Sequence, residues 1–193
     1  YKSNNGKMVF SDEFKKEIPE KWEIRPLDQI ADFLNGLALQ KYPATSDEYL
    51  PVIKIRELRQ GITDSSDKAS TQIDEKYIIK NGDVIFAWSG SLRVDIWCHG
   101  TGALNQHLFK VTSKEFSKWF YYYWVNQHLL DFRHIAGGKA TTMGHIKRNH
   151  LADKLVIIPD EPTLEKMNKI MDPLIQMYIQ KGISEAKGGL TLN

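Results

Sequence analysis

The sequence predicts an α+β fold, a mixed and strand-rich domain followed by one long C-terminal helix. Three observations carry this. Short apolar runs alternate with turn-forming residues between positions 49 and 111. Seven aromatic residues crowd into 116–124, a density suited to a buried helix. From Leu164 to Ile179 apolar side chains recur at spacings of three and four, the period of a helix that packs on a partner.

The elements follow in order. Residues 1–17 are polar with scattered apolar positions and read as an arm or linker, and Ile18-Pro19-Glu20-Lys21-Trp22 opens a domain spanning 18–159. Leu27, Ile30, Ala31 and Leu34 have helical spacing, with Gly36 as a stop. Residues 49–58 alternate and read as a strand after the turn at Ser46-Asp47, and 61–72 are Ser/Thr/Asp-rich and read as a loop. Residues 77–79 and 83–88 flank Asn81-Gly82, the signal for a hairpin. Ser89-Gly90-Ser91 is a second turn, and strands are expected at 94–98 and 107–111. Residues 116–130 read as a helix whose contiguous aromatics belong to the core, since they cannot all face one groove. Gly137-Gly138 opens a loop, 145–153 reads as a short helix, and 155–159 as a last buried strand. Residues 160–193 form the final segment. Its helix is expected to end at Gly188-Gly189, with Pro173 kinking it or delaying its start. Leu164, Met167, Met171, Leu174 and Tyr178 are its expected packing face.

At 193 residues, with 41% hydrophobic and 26% charged residues, the chain can bury one core. No run approaches the ~20 apolar residues of a membrane helix, and the start has no secretory pattern. A single cysteine, Cys98, excludes an internal disulfide and a cysteine metal cluster and suits the cytoplasm. The sequence reads as a piece of a longer polypeptide. Catalytic patterns are absent: no phosphate loop, no dinucleotide fingerprint around Gly100-Thr101-Gly102, no nucleophile elbow, no His-Glu-x-x-His pair and no Asn/Asp-Pro-Pro-aromatic run. A binding module with no cofactor and no metal is the reading this favours over an enzyme.

Charge is uneven. Residues 96–152 hold seven lysines and arginines and all six histidines against two acids, Glu115 and Asp131, a net of +5 where the whole chain carries +2. Such a middle is expected to form a concave basic face for a polyanion, most often nucleic acid. The candidate contacts lie on turns: Lys54 and Arg56; Ser89, Ser91 and Arg93; Asn105, Gln106 and His107; and Lys139, Thr141, Thr142, His145, Lys147, Arg148 and Asn149. Arginine, lysine, asparagine and glutamine read purine edges, while hydroxyls and lysines hold phosphates. Other roles stay open, since Asn105 and Gln106 can close a turn and Thr141-Thr142 can cap a helix.

These strings resemble the target recognition domains of type I restriction-modification specificity subunits. The resemblance rests on Ile18-Pro19-Glu20-Lys21-Trp22, Leu50-Pro51-Val52-Ile53-Lys54-Ile55-Arg56, Gly82-Asp83-Val84-Ile85 running into Trp88-Ser89-Gly90-Ser91, and Asn105-Gln106-His107. It also rests on Gly138-Lys139-Ala140-Thr141-Thr142-Met143-Gly144-His145-Ile146. It implies a non-catalytic chain that binds double-stranded DNA and reads one half of a bipartite target. It implies methyltransferase and restriction subunits as partners. Residues 160–193 would be a spacer helix forming half of a coiled coil, paired with a second recognition domain in the same chain or in a homodimer. Two alternatives stay open: the recognition half of a single-chain restriction-methylation enzyme, and a protein-interaction module.

Overall fold

The computed structural model describes residues 6–137 and 144–189. The chain opens with an antiparallel hairpin, β1 (Met8–Ser11) and β2 (Lys16–Pro19), registered Met8 to Pro19. Most of the expected arm is therefore folded. Its last strand buries Ile18, and Lys7 closes the hairpin's open end with a 2.6 Å ion pair to Glu20.

β3 (Glu23–Pro26) leads into a single helical turn, α1 (Leu27–Ile30), and then β4 (Asp32–Asn35). The helix expected over 27–34 stops after one turn. Residues 32–35 are taken by an antiparallel ladder with residues 109–112, which satisfies their backbone groups and buries Phe33. After a 3-10 turn at Leu39–Lys41 comes β5 (Leu50–Ile53), and here too the expected element is cut short. Residues 55–60 form α2 (Ile55–Gln60), not strand, because the buried Glu57 carboxylate accepts the Lys54 backbone N–H at 3.1 Å and caps the turn. The polar loop that follows contains a short strand, β6 (Lys68–Ala69), paired with β5.

β7 (Ile78–Ile79) and β8 (Val84–Ala87) flank Asn81-Gly82, as the sequence suggests, but they do not form a hairpin. They enter different sheets, diverted where Gly82 N–H bonds Trp97 O at 2.7 Å. β9 (Arg93–Ile96), β10 (Gly102–Leu104) and β11 (Leu108–Thr112) complete the strands of two four-stranded sheets. One runs β4-β11-β8-β9, antiparallel throughout. The other runs β6-β5-β10-β7, with β5 and β10 parallel.

The aromatic segment is two helices, α3 (Lys118–Gln127) and α4 (Leu129–Gly137), with His128 between them. Trp119, Phe120 and Tyr121 are buried, and Phe116 stacks on Phe120 at 4.8 Å. They are core, as expected. α5 (Arg148–Ala152) and β12 (Leu155–Ile158) follow, β12 pairing with β3. α6 (Glu161–Gly189) runs unbroken through Pro173, which is exposed, so water can take the carbonyl that proline leaves unbonded.

Strand alternation partitions the core into layers. On β8, Val84 and Phe86 face the helices, while Ile85 and Ala87 face the second sheet with Leu104, Leu108 and Ile53. On β5 and β10, Val52 and Ala103 turn to a third cluster with Leu39 and Ala69. Helices thus cover one sheet, which in turn covers the other. Each large side chain fully buried in this stack contributes about 1.5–3 kcal/mol.

The expected packing face of α6 splits in two. Leu164, Met167, Met171, Ile175, Ile179 and Ile183 lie on the chain's own core, in part against α3. Leu174 and Tyr178 do not share that face. They are half exposed and join Ile170 and Met177 in an outer stripe. Tyr178, at its border, reaches the side chain of Tyr122.

Candidate nucleic-acid interface

Two turns meet between the sheets. The β8–β9 turn carries Ser89, Gly90 and Ser91, and the β10–β11 turn carries Asn105, Gln106 and His107. Ser89 is buried, and its Oγ lies 3.1 Å from Nδ1 of His107. The Trp88 ring lies 6.0 Å from the His107 ring and 6.1 Å from His145, and Trp88 Nε1–H donates to Asn35 Oδ1 at 2.9 Å. His145 bridges Ser89, and Gly90 N–H donates to Gly144 O at 3.0 Å. Gly90 has φ +64, a conformation that favours glycine and bends the turn back over this contact. Gly36 allows the other close approach: a Cβ there would stand 2.2 Å from Asn105 O.

Asn105 is buried and structural. Its Oδ1 accepts the His107 N–H at 3.2 Å, and its own N–H bonds Ile53 O. The turn-closing role is thus the one the geometry supports for Asn105; Gln106 and His107 are part-exposed, and all three line a groove of about 750 Å³. Lys54, Arg56 and Lys68 line the same groove. Lys54 pairs with Asp67, and that neighbouring ammonium holds the Asp67 carboxyl below its usual range. Arg56 is anchored to the buried Glu57 at 2.7 Å and to Ser65 O at 2.9 Å, so it holds its loop while remaining half exposed. Glu57 also accepts from Ser66 Oγ at 3.1 Å, making it the hub of the groove wall.

Ser91 and Arg93 fall on the far side of the Ser89–Ser91 turn, in a second cleft of about 540 Å³. Arg93 pairs with Asp95 there. Lys147, Arg148 and Asn149 lie exposed around the start of α5. Arg148 donates to Phe33 O at 3.1 Å, and its guanidinium lies 5.8 Å from the Phe109 ring. Lys139, Thr141 and Thr142 lie outside the described residues.

The described residues of the basic stretch 96–152 do not form one concave face. Lys110 pairs with Asp83 at 2.9 Å, Lys118 donates to Gly82 O, and Arg133 donates to Leu92 O. His128 stacks on Trp124 and bonds Leu155 O at 2.9 Å, and burial pushes its pKa down. The stretch's two acids are answered from outside it, Glu115 by Arg25 at 2.6 Å and Asp131 by Lys154 at 2.8 Å. Among the described residues the run of charge is dispersed by folding, and the lysines and arginine that line the groove come from positions 54–68 instead. Among the described residues no three His, Cys, Asp or Glu side chains are grouped to hold a metal ion.

A model of the type I restriction modification DNA specificity domain matches residues 19–186. The chain belongs to this family. It is 28% identical over 184 residues to the type I restriction enzyme MjaIX specificity subunit of Methanocaldococcus jannaschii, a match covering 91% of this chain and 42% of that protein. Its fold is similar to the HsdS subunit from Thermoanaerobacter tengcongensis, with a TM-score of 0.53 and 15% identity over 92% of this chain and 42% of that one. It is also similar to a chain from a structure of type I R-M complex assembly and conformational transition, with a TM-score of 0.54 and 13% identity over 90% of this chain and 43% of that one. The chain spans less than half the length of these relatives.

In this specificity domain, sequence reasoning missed several groove residues. Lys68 projects over Tyr49, 4.0 Å from the ring, from what read as a plain polar loop. Trp88 and Asn35 support the two turns from within. Arg59 and Arg133 line the second cleft. Only the lysine in a Ser/Thr-rich loop offered a signal in the sequence, because the others converge through strand order, which spacing does not encode.

Proposed function

We propose that this chain binds double-stranded DNA sequence-specifically, as the target recognition domain of a type I specificity subunit reading one half of a bipartite target. The observation that carries this reading is the convergence of Lys54, Lys68, Gln106 and His107 on one groove in a chain whose family is that of DNA specificity domains. Gln106 and His107 stand on a turn pinned from behind by Asn105 and Ser89, so they meet base edges with little ordering cost. Lys54 and Lys68 flank them and hold phosphates, which sets register.

The chain performs no bond-making itself. It directs methyltransferase subunits, and with them a restriction subunit, to the site it reads. The outer stripe Ile170, Leu174, Met177 and Tyr178 seats a helix from a second recognition domain, in the same polypeptide or in a second copy. The free, buried Cys98 fits a reducing cytoplasm.

Selection of duplexes from a randomised pool, followed by binding titrations at two salt concentrations, tests this reading. The expected result is enrichment of one short motif and an affinity that falls steeply with salt. A pool that stays random, with binding indifferent to salt, would overturn it.

A further inference from the structure

The Ser89–Ser91 turn has two sides, and the reading groove uses one. On the other, the cleft of about 540 Å³ is lined by Arg59, Ser91, Arg93, Asp95 and Arg133. The three arginines come from α2, β9 and α4, segments brought together only by the fold. Like charges gathered in one concavity repel, and an anion relieves the repulsion. Asp95 is the one carboxylate in the lining, and it is already engaged by Arg93 Nε. Burial raises its pKa, against the pull of Arg93.

Two of the guanidinium groups are also held in place. Arg133 donates through Nε and Nη2 to Leu92 O, at 3.2 and 3.0 Å. Arg93 is fixed through Nε, which leaves its terminal nitrogens as a fork. Arg59 is exposed on the last turn of α2 and makes no ion pair among the described residues. Planar forks of this kind match phosphate oxygens two at a time.

The two hollows are neighbours. α2 places Ile55 and Arg56 in the reading groove and Arg59 in the cleft. Ser89 bonds His107 in the groove, while Gly90 and Ser91 line the cleft. We propose that the Arg59–Arg93–Arg133 cleft clamps a backbone phosphate of the duplex whose bases lie against Gln106 and His107. This rests on the DNA-binding reading above and adds to it a second, sequence-blind site that fixes register from the other side of the turn.

The test is binding of the selected duplex and of an unrelated duplex across a salt series. It compares the unmodified chain with Arg59→Gln, Arg59→Lys and, as a charge control, Lys181→Gln on α6. Among the described residues the Arg59 side chain makes no ion pair that its removal would break. The expected result for Arg59→Gln is weaker binding to both duplexes by a similar factor, with the selected motif unchanged. One fewer phosphate contact lowers the salt slope by about 0.9, so a fourfold rise in salt costs about 3.5-fold less affinity than before. Arg59→Lys restores the slope and part of the affinity, and Lys181→Gln changes neither. Inorganic phosphate at constant ionic strength leaves duplex binding intact. If the unmodified chain binds DNA with a steep salt slope and Arg59→Gln matches it, the clamp is wrong while DNA binding stands. If inorganic phosphate binds the unmodified chain without DNA and Arg59→Gln abolishes that binding while duplex binding is unchanged, the cleft serves free phosphate and the clamp is again wrong. If the unmodified chain binds no duplex, both readings fall.

Discussion

Ser89 and His107, from two different interstrand turns, share a hydrogen bond of 3.1 Å at the back of the groove. The serine is buried, so the pair fixes how the histidine ring meets anything that enters. Ser89→Ala is expected to cost about 1 kcal/mol of stability, the worth of a typical buried hydrogen bond. Its larger effect is expected on specificity, with selection from a random pool giving a broader motif at one position while affinity for unrelated duplexes holds.

In the proposed reading, Gln106 meets a base edge and Lys54 a phosphate. Gln106→Ala is expected to change preference at one base pair by about 1–3 kcal/mol. Lys54→Ala is expected to weaken every duplex alike. Competition titrations against single-base variants of the selected site distinguish the two outcomes, and a uniform loss for Gln106→Ala would remove it from base reading.

Glu57 organises the groove wall by accepting from Lys54 N, Arg56 and Ser66 Oγ. Glu57→Ala leaves buried donors unmet and is expected to destabilise the chain by about 2–4 kcal/mol. Glu57→Gln keeps the volume and an acceptor and is expected to cost less. Urea unfolding of both variants checks the order. Equal midpoints for the two variants would show that the retained volume and acceptor add nothing and would assign the loss to the carboxylate charge.

The α6 stripes make opposite predictions. Met171→Ala removes a contact with the chain's own core and is expected to cost about 1–2 kcal/mol, less than a fully buried methionine. Leu174→Ala is expected to change stability of this chain by no more than about 0.5 kcal/mol. If the proposed partner helix covers this stripe, Leu174→Ala is instead expected to weaken assembly with it, read by analytical ultracentrifugation.

His128 gives the fold an acid sensitivity. Burial lowers its pKa below the ordinary 6.5, so the folded state favours the neutral ring. Its contribution is complete above pH 6.5 and is lost as pH falls through the depressed folded value. Melting temperatures measured from pH 7.5 down to 5 are expected to fall more for the unmodified chain than for His128→Gln. Parallel curves would assign the acid loss to other groups.

Much was legible in the chain itself. The α+β class, the aromatic core helices, the buried strands around 84–87 and 108–112 and the terminal helix follow from local periodicity, and so does the pair Gln106-His107 on a turn. Element ends and pairings were less so. Residues 32–35 have helical spacing yet join a ladder, and β7 and β8 look like a hairpin yet part into two sheets, because long-range pairing outweighs local preference.

The sequence by itself determined which segments could bury apolar faces and which residue types stood on the turns between them, since both depend on neighbours a few positions away. Only the tertiary structure decided which charges stayed available. Backbone carbonyls and carboxylates far along the chain took up Lys110, Lys118 and Arg148, and strand order carried Arg59, Arg93 and Arg133 to one cleft. Charge acts through distance in space, and the order of residues along a polypeptide does not state that distance.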